Sequence, residues 1–307
     1  MPEMTRRDFA KTVAAGLGAA AAASDASSLF AQSGRRLKIG HTGITWGFQP
    51  DDAPNAIKDI GSLGFWGYES FGNVLEAWEA KGGLGAVLQA SKLPLRSAYC
   101  PVNLTDAAKR KDEVAKLTGW ARLIKKHGGA VAVIGPNQVP RATYKYADNK
   151  ANIVAALNDM GQACQDVGIV AVLHQHTGTC VESRDETYAT VEAMNTKAMK
   201  FGPDVGQLQK GGSDPVKVVT DFKSIIHHVH MKDYDGGPDW LGYCPLGKGK
   251  VDVPALVDLF EKAGNDMMIM VELDPNLPDP RPLPMTPLAS STIAKECLHK
   301  LGYAFRV

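Results

Sequence analysis

Ile225-Ile226-His227-His228-Val229-His230-Met231-Lys232-Asp233 is the stretch on which the rest of the chain is organised. Two isoleucines lead in and a charged pair leads out, the pattern of a short strand that stops being core where its polar residues begin. Side chains alternate along a strand, so His228, His230 and Lys232 share one face and His227, Val229 and Met231 the other. Unpaired polar groups at a strand end are costly, and three on one face call for a bound metal or polar ligand. The plain alternative for any one of them is a hydrogen-bonded core histidine beside a solvated lysine.

Working outward, eight short apolar runs recur: Leu37–Trp46, Gly64–Phe71, Leu93–Val102, Ala130–Gly135, Gly168–His176, Lys200–Gly206, Ile225–Asp233 and Met267–Leu273. Helical patterns such as Asp106–His127, Ala151–Val167 and Val253–Ala263 lie between them, several entered at Asp and left at Gly. Eight strand-helix units predict an α/β fold, a single-domain (β/α)8 TIM barrel over residues 37–305. A doubly wound sheet is the alternative, but Gly43-Ile44-Thr45-Trp46-Gly47 stands where a dinucleotide-binding chain would place its Gly-rich fingerprint.

The 307 residues carry a net charge of +1, with no basic stripe to follow a phosphate backbone, so nucleic acid is disfavoured as a partner. Five scattered cysteines, Cys100, Cys164, Cys180, Cys244 and Cys297, fit neither a disulfide framework nor a zinc knuckle. Thr5-Arg6-Arg7-Asp8-Phe9-Ala10-Lys11 and the weakly apolar run to Ala23 resemble a bacterial twin-arginine export signal. That resemblance implies a signal peptide over residues 1–31, passage through the twin-arginine machinery and a periplasmic location. The run is too short for a stable membrane span of about 20 apolar residues. Homo-oligomerisation is left open. Pro275 to Pro287 reads equally well as a loop over the barrel mouth or as a simple connection.

In such barrels the site lies at the C-terminal strand ends. Polar groups collect there on four successive strands: His174-Gln175-His176, Asp204, His230 and Glu272. Asp204 alone also suits a helix cap. Imidazoles and carboxylates without thiolates favour a hard or borderline divalent ion, Mn, Mg, Co or Zn. Glu69, at the second strand's end, is a candidate base or a capping acid; Lys232 could neutralise an oxyanion or pair with Asp233. Trp46 could stack on a sugar face or pack in the core, and His41 reads as structural.

Val172-Leu173-His174-Gln175-His176-Thr177-Gly178-Thr179, Asp204-Val205-Gly206-Gln207, His228-Val229-His230-Met231-Lys232-Asp233, Pro245-Leu246-Gly247-Lys248-Gly249-Lys250-Val251-Asp252 and Val271-Glu272 resemble the xylose-isomerase-like TIM barrels. These are the sugar phosphate isomerase/epimerase superfamily, and the closest flavour is that of the inosose dehydratases. The resemblance implies one divalent metal held by Asp204, His230, Glu272 and a fourth ligand, His174, with His176 in reserve. Glu69 matches a carboxylate of the dehydratase-like members, and with it His176, Lys232 and Glu272 are the catalytic candidates, Trp46 and Gln207 the substrate-contact candidates. Gln207 stands where the family's pattern has a histidine, and an amide does not exchange a proton near neutral pH. The implied reaction is an isomerase, epimerase or lyase step begun by proton abstraction next to a carbonyl of a keto sugar, keto-glycoside or cyclitol. An inosose-dehydratase-like or keto-glycoside lyase outcome shares that first step. A non-catalytic periplasmic carbohydrate-binding barrel is the reading from another class. The endonuclease branch needs histidines where Glu69 and Tyr99-Cys100 stand.

Overall fold

A computed structural model of the protein describes residues 34–275 and 284–307. Its eight parallel strands are β1 (Lys38–Thr42), β2 (Tyr68–Phe71), β3 (Leu95–Val102), β4 (Val131–Pro136), β5 (Val170–Leu173), β6 (Met199–Phe201), β7 (Val229–Met231) and β8 (Met268–Val271). Their order around the sheet is β6-β5-β4-β3-β2-β1-β8-β7. Two isolated parallel bridges, Phe201 with Ile226 and Asp204 with His230, join β6 to β7. The His227 and His230 amides donate to the Phe201 and Pro203 carbonyls across that seam, at 3.1 and 3.0 Å. Every strand thus has a neighbour on each side, the closure that removes sheet edges. Each of the eight apolar runs contributes one strand, and the predicted TIM-barrel fold is the one the chain adopts.

Alternation decides what fills the two sides of the wall. Val229 and Met231 of β7, with Ile269 and Val271 of β8, pack into the main core under the helices. Val131, Val133 and Val172 form a separate cluster, against which Tyr99 packs. Two glycines leave room inside. A Cβ on Gly40 would come within 2.5 Å of the Met270 sulfur, and one on Gly202 within 2.7 Å of a Val172 methyl. Toward the C-terminal end the filling turns polar, with Glu69, Ser97, His228 and His230 all buried.

Several strands end earlier than the apolar runs suggest, β6 at Phe201 and β8 at Val271 among them. β1 stops at Thr42, and Ile44–Trp46 forms a 3-10 turn; β5 stops at Leu173, leaving His174 to His176 in a loop. The Gln175 side chain pairs with the Asp204 backbone, its Nε2 donating to the carbonyl at 2.9 Å and its Oε1 accepting from the amide at 3.4 Å. A side-chain amide replaces the ladder there.

Beyond β7 the chain forms a two-stranded antiparallel hairpin of Asp233–Tyr234 with Tyr243–Cys244. Lys232 does not pair with Asp233, contrary to one of the two expectations. Instead Asp233 accepts from the amides of Tyr234, Gly247, Gly249 and Val251 at 2.8–3.1 Å. A Cβ on Gly249 would lie 2.3 Å from Asp233 Oδ1, which accounts for a glycine in Gly247-Lys248-Gly249. Among the described residues no helix is long and apolar enough to cross a membrane. The arginine-bearing segment and most of Pro275 to Pro287 lie outside the described residues.

Candidate active site

Asp204 begins the site because both readings of it hold at once. It is the N-cap of the helix Val205–Lys210, with Oδ1 accepting from the Gln207 amide at 2.9 Å. That leaves Oδ2, fully buried and without a hydrogen bond of good geometry, 3.0 Å from Lys232 Nζ. The other contacts of Lys232 are Glu272 Oε1 at 2.6 Å and Asp274 Oδ2 at 2.8 Å. Lys232 itself is 0% exposed. Burial disfavours its charge, but Asp204, Asp274 and Glu272 raise its pKa well above the usual value. An ammonium in this setting stays protonated.

His230 stands between two carboxylates, with Nε2 2.8 Å from Glu69 Oε1 and Nδ1 2.8 Å from Glu272 Oε2. Neither approach has hydrogen-bond geometry, so both ring nitrogens remain unsatisfied by that measure. Burial works against a charged ring, but Glu272 and Glu69 raise its pKa well above the ordinary value. Burial alone would raise Glu272; His230 and Lys232 hold it well below the carboxylate range.

Glu69 lies beneath this layer. Its Oε2 accepts from Ser97 Oγ at 2.6 Å and faces His228 Nε2 at 2.8 Å. Burial would raise it, but His230 and His228 bring its pKa down to about 2. Both its oxygens are engaged. Of the two histidines in the fifth-strand loop, His174 is buried with Nδ1 unpaired, its ring centroid 4.6 Å from that of His230. Burial, reinforced by neighbouring His230, lowers its pKa well below the usual value, so it presents a neutral nitrogen.

His176 is the more exposed of the pair. Its Nδ1 donates to the Thr177 carbonyl at 2.7 Å, and Gln207 Nε2 donates to its Nε2 at 2.8 Å. Gln207 Oε1 accepts from both the amide and hydroxyl of Thr177, at 3.1 and 2.6 Å, which fixes which way the amide points. The neutral Nδ1-H tautomer of His176 follows, with its basic lone pair on Nε2.

A cavity of about 170 Å³ opens over these groups, lined by Glu69, Tyr99, His174, His176, Glu272 and Asp274 among others. Trp46 is not in its wall. The Trp46 indole instead donates to Asp59 at 2.9 Å and meets His41 edge-on, while Thr42, Gly43 and Ile44 from the same turn line the cavity. Of the two readings of Trp46, these contacts are those of a packed indole outside that cavity wall. His41 is structural, as expected: it contacts the Thr42 carbonyl and Ser291, and burial takes its pKa to about 4. Asp274 is the site residue that the sequence reading missed. Strand parity held the signal, since Glu272 and Asp274 are two residues apart and reach the same lysine.

Three carboxylates, Asp204, Glu272 and Asp274, surround the Lys232 ammonium and Glu69 faces His230, so four carboxylates outnumber the lysine and one charged imidazole. His174, Asp204 and His230 each offer a ligand atom within 4.8 Å of the others. Unpaired buried nitrogen and oxygen atoms converging on excess negative charge fit a divalent cation. Glu69, His228 and His230 also form such a trio, but there Glu69 already bonds His228 and Ser97, the arrangement of a group that orients a ligand.

The chain belongs to the xylose isomerase-like TIM barrel family, whose model matches residues 57–286. It is 25% identical to an inosose dehydratase of Clostridium botulinum (strain Alaska E43 / Type E3) over 282 residues, 80% of this chain and 93% of that one. An inosose dehydratase of Geobacillus kaustophilus (strain HTA426) is 25% identical over 162 residues, 49% of this chain and 53% of that protein. Among solved structures, a 3-keto-D-glucoside 4-epimerase from E. coli has a TM-score of 0.64 at 16% identity, covering 87% of this chain and 99% of that one. A D-allulose 3-epimerase from Methylomonas sp. has a TM-score of 0.68 at 19% identity, covering 87% and 99%. A xylose isomerase-like protein from Mycobacterium smegmatis in complex with magnesium has a TM-score of 0.67 at 14% identity, covering 87% and 97%.

Proposed function

We propose that the protein is a divalent-metal-dependent enzyme that removes a proton from the carbon next to a carbonyl in a keto sugar, keto-glycoside or cyclitol ketone. The observation that carries this reading is the buried convergence of His174, Asp204 and His230, each with a ligand atom within 4.8 Å of the others, beside Glu272. These four residues would hold the ion. When bound, a divalent ion polarises a carbonyl oxygen and stabilises negative charge as it develops.

The chain's own groups divide the remaining work. Glu69 and Glu272 have their oxygens against imidazoles or an ammonium, which makes them weak proton acceptors. His176 Nε2 meets only the neutral amide of Gln207. We assign it the proton: Gln207 and Thr177 hold the ring in the tautomer that keeps Nε2 free of hydrogen, and substrate takes the place of the amide. Lys232, buried against Asp204, Glu272 and Asp274, holds these three carboxylates in place. Glu69 acts through His230 by fixing its ring. Return of the proton to the other face gives an epimer, to the neighbouring carbon an isomer, and loss of a β-substituent a lyase product.

Incubation with keto sugars and cyclitol ketones in D₂O should place deuterium in recovered substrate or product. His176→Gln should slow that exchange by about 10²-fold or more, the usual worth of a positioned base, with metal content retained. Turnover with neither exchange nor an isotope effect at that carbon would overturn the proposal, and ligand binding with no turnover would favour a carbohydrate-binding barrel.

The export reading rests on Arg6-Arg7 and Phe9, and we propose a periplasmic location on that ground. Replacing both arginines with lysine should leave the protein in the cytoplasm. Arrival of that variant in the periplasm would remove the claim.

A further inference from the structure

The inner cavity does not end at His176 and Asp274. Both residues also line a second, more open cavity of about 430 Å³, walled by Gln138, Arg141, Glu182, Lys210, Leu241 and Tyr243. Pockets that bury a drug-sized ligand run to about 300–1,000 Å³. The inner cavity falls below that range, and the two together fall within it.

The outer wall is chemically distinct from the inner one. Arg141 is already matched, pairing with Glu182 at 3.3 Å and with Glu186 at 2.9 Å. Lys210 donates to the Leu241 carbonyl at 2.8 Å and lies over the Tyr243 ring at 4.7 Å. Among the described residues Lys210 meets no carboxylate directly, but Glu182 and Asp274 on the same wall disfavour an anion, whereas the polar edges of Gln138, Glu182 and Lys210 suit hydroxyl groups. Leu241 supplies an apolar patch. It is 44% exposed, at the tip of the hairpin loop, and both it and Trp240 hold positive φ, 62° and 45°. Such backbone costs about 1–3 kcal/mol per residue and persists where the surroundings impose it. Here it keeps a leucine at the cavity rim rather than folded inward.

We infer that the outer cavity is a second subsite for a neutral sugar ring or other uncharged group glycosidically joined to the reacting ring, so that the substrate is a two-part keto-glycoside rather than a free monosaccharide or cyclitol. The inference rests on the site reading above for the placement of the reacting ring at His176. Its own content is binding, and that can be tested separately from turnover.

Calorimetric titration of the metal-loaded protein with methyl 3-keto-D-glucoside and with 3-keto-cellobiose compares a one-ring and a two-ring probe. The two-ring probe should bind at least tenfold more tightly. Leu241→Ser should lower the two-ring to one-ring affinity ratio about fivefold or more, and Gln138→Ala should lower it in the same direction, with melting temperatures kept near the parent value. Equal affinity for the two probes, or a ratio untouched by both substitutions, would overturn the subsite even if the one-ring probe exchanges deuterium. A clear two-ring preference without exchange of either probe would leave the subsite standing and count against the proton-abstraction reading.

Discussion

Lys232→Met should lower the melting temperature by about 10 °C in the presence of a chelator and abolish turnover. The lysine is fully buried and touches Asp204, Glu272 and Asp274. Removing one partner of a buried ion pair leaves uncompensated charge and costs about 3–5 kcal/mol. A chain of this size shifts by about 2–4 °C per kcal/mol. Methionine keeps most of the volume, so the change isolates charge from packing. A divalent ion should recover part of the lost stability, because the three carboxylates would then face another cation, and it should do so more in the variant than in the parent chain. A variant that melts within about 2 °C of the parent under chelation would mean that the lysine does not hold the carboxylates together.

The second large effect is expected at the proposed ligands. Glu272→Ala and Asp204→Ala should each reduce metal affinity by more than about 100-fold, since even orienting partners behind a ligand are worth about 10–100-fold. Glu69→Gln, which touches His230 without joining the ligand set, should fall inside that smaller interval. Activity should follow the metal. Polarisation by a divalent ion is worth several kcal/mol, and each 1.36 kcal/mol is a factor of ten, so a loss of about 10³-fold is anticipated. Elemental analysis returning the parent stoichiometry for both alanine variants would move the site elsewhere. Asp204→Ala carries an added cost, because it also removes the helix cap on the Gln207 amide; Asp204→Asn, which keeps an oxygen for that amide, separates the two roles.

Much of this arrangement is legible in the sequence because strand periodicity is strict. His228, His230 and Lys232 share a face by alternation alone, and all three are buried in one connected cluster with Glu69 and Glu272. The eight apolar runs locate the strands for the same reason. What periodicity cannot supply is depth and partner. Glu69 and Glu272 read alike as acids at strand ends, yet one lies under His230 and the other beside the cavity floor. Lys232 and Asp233 are neighbours in sequence, but a strand sends them to opposite faces, and each finds partners far along the chain. Trp46 looks like a strand-end aromatic until the chain turns after Thr42 and carries its ring toward Asp59. Asp274 was hidden by its place beyond the last apolar run, where a proline follows and alternation is no longer trusted.

The fastening of Asp233 has a consequence for how such an enzyme diversifies. Four amides from the hairpin and the turn after it close on one carboxylate, while the Asp235 and Gly236 amides meet the Gly242 carbonyl across the loop's neck. The intervening tip is thereby fixed at its neck, with Trp240 buried against Tyr243 and Leu273 and Leu241 left at the rim. Changes at exposed Leu241 reach the outer cavity while the chemical residues sit on the barrel wall, so substrate range and reaction can evolve on separate parts of the same chain.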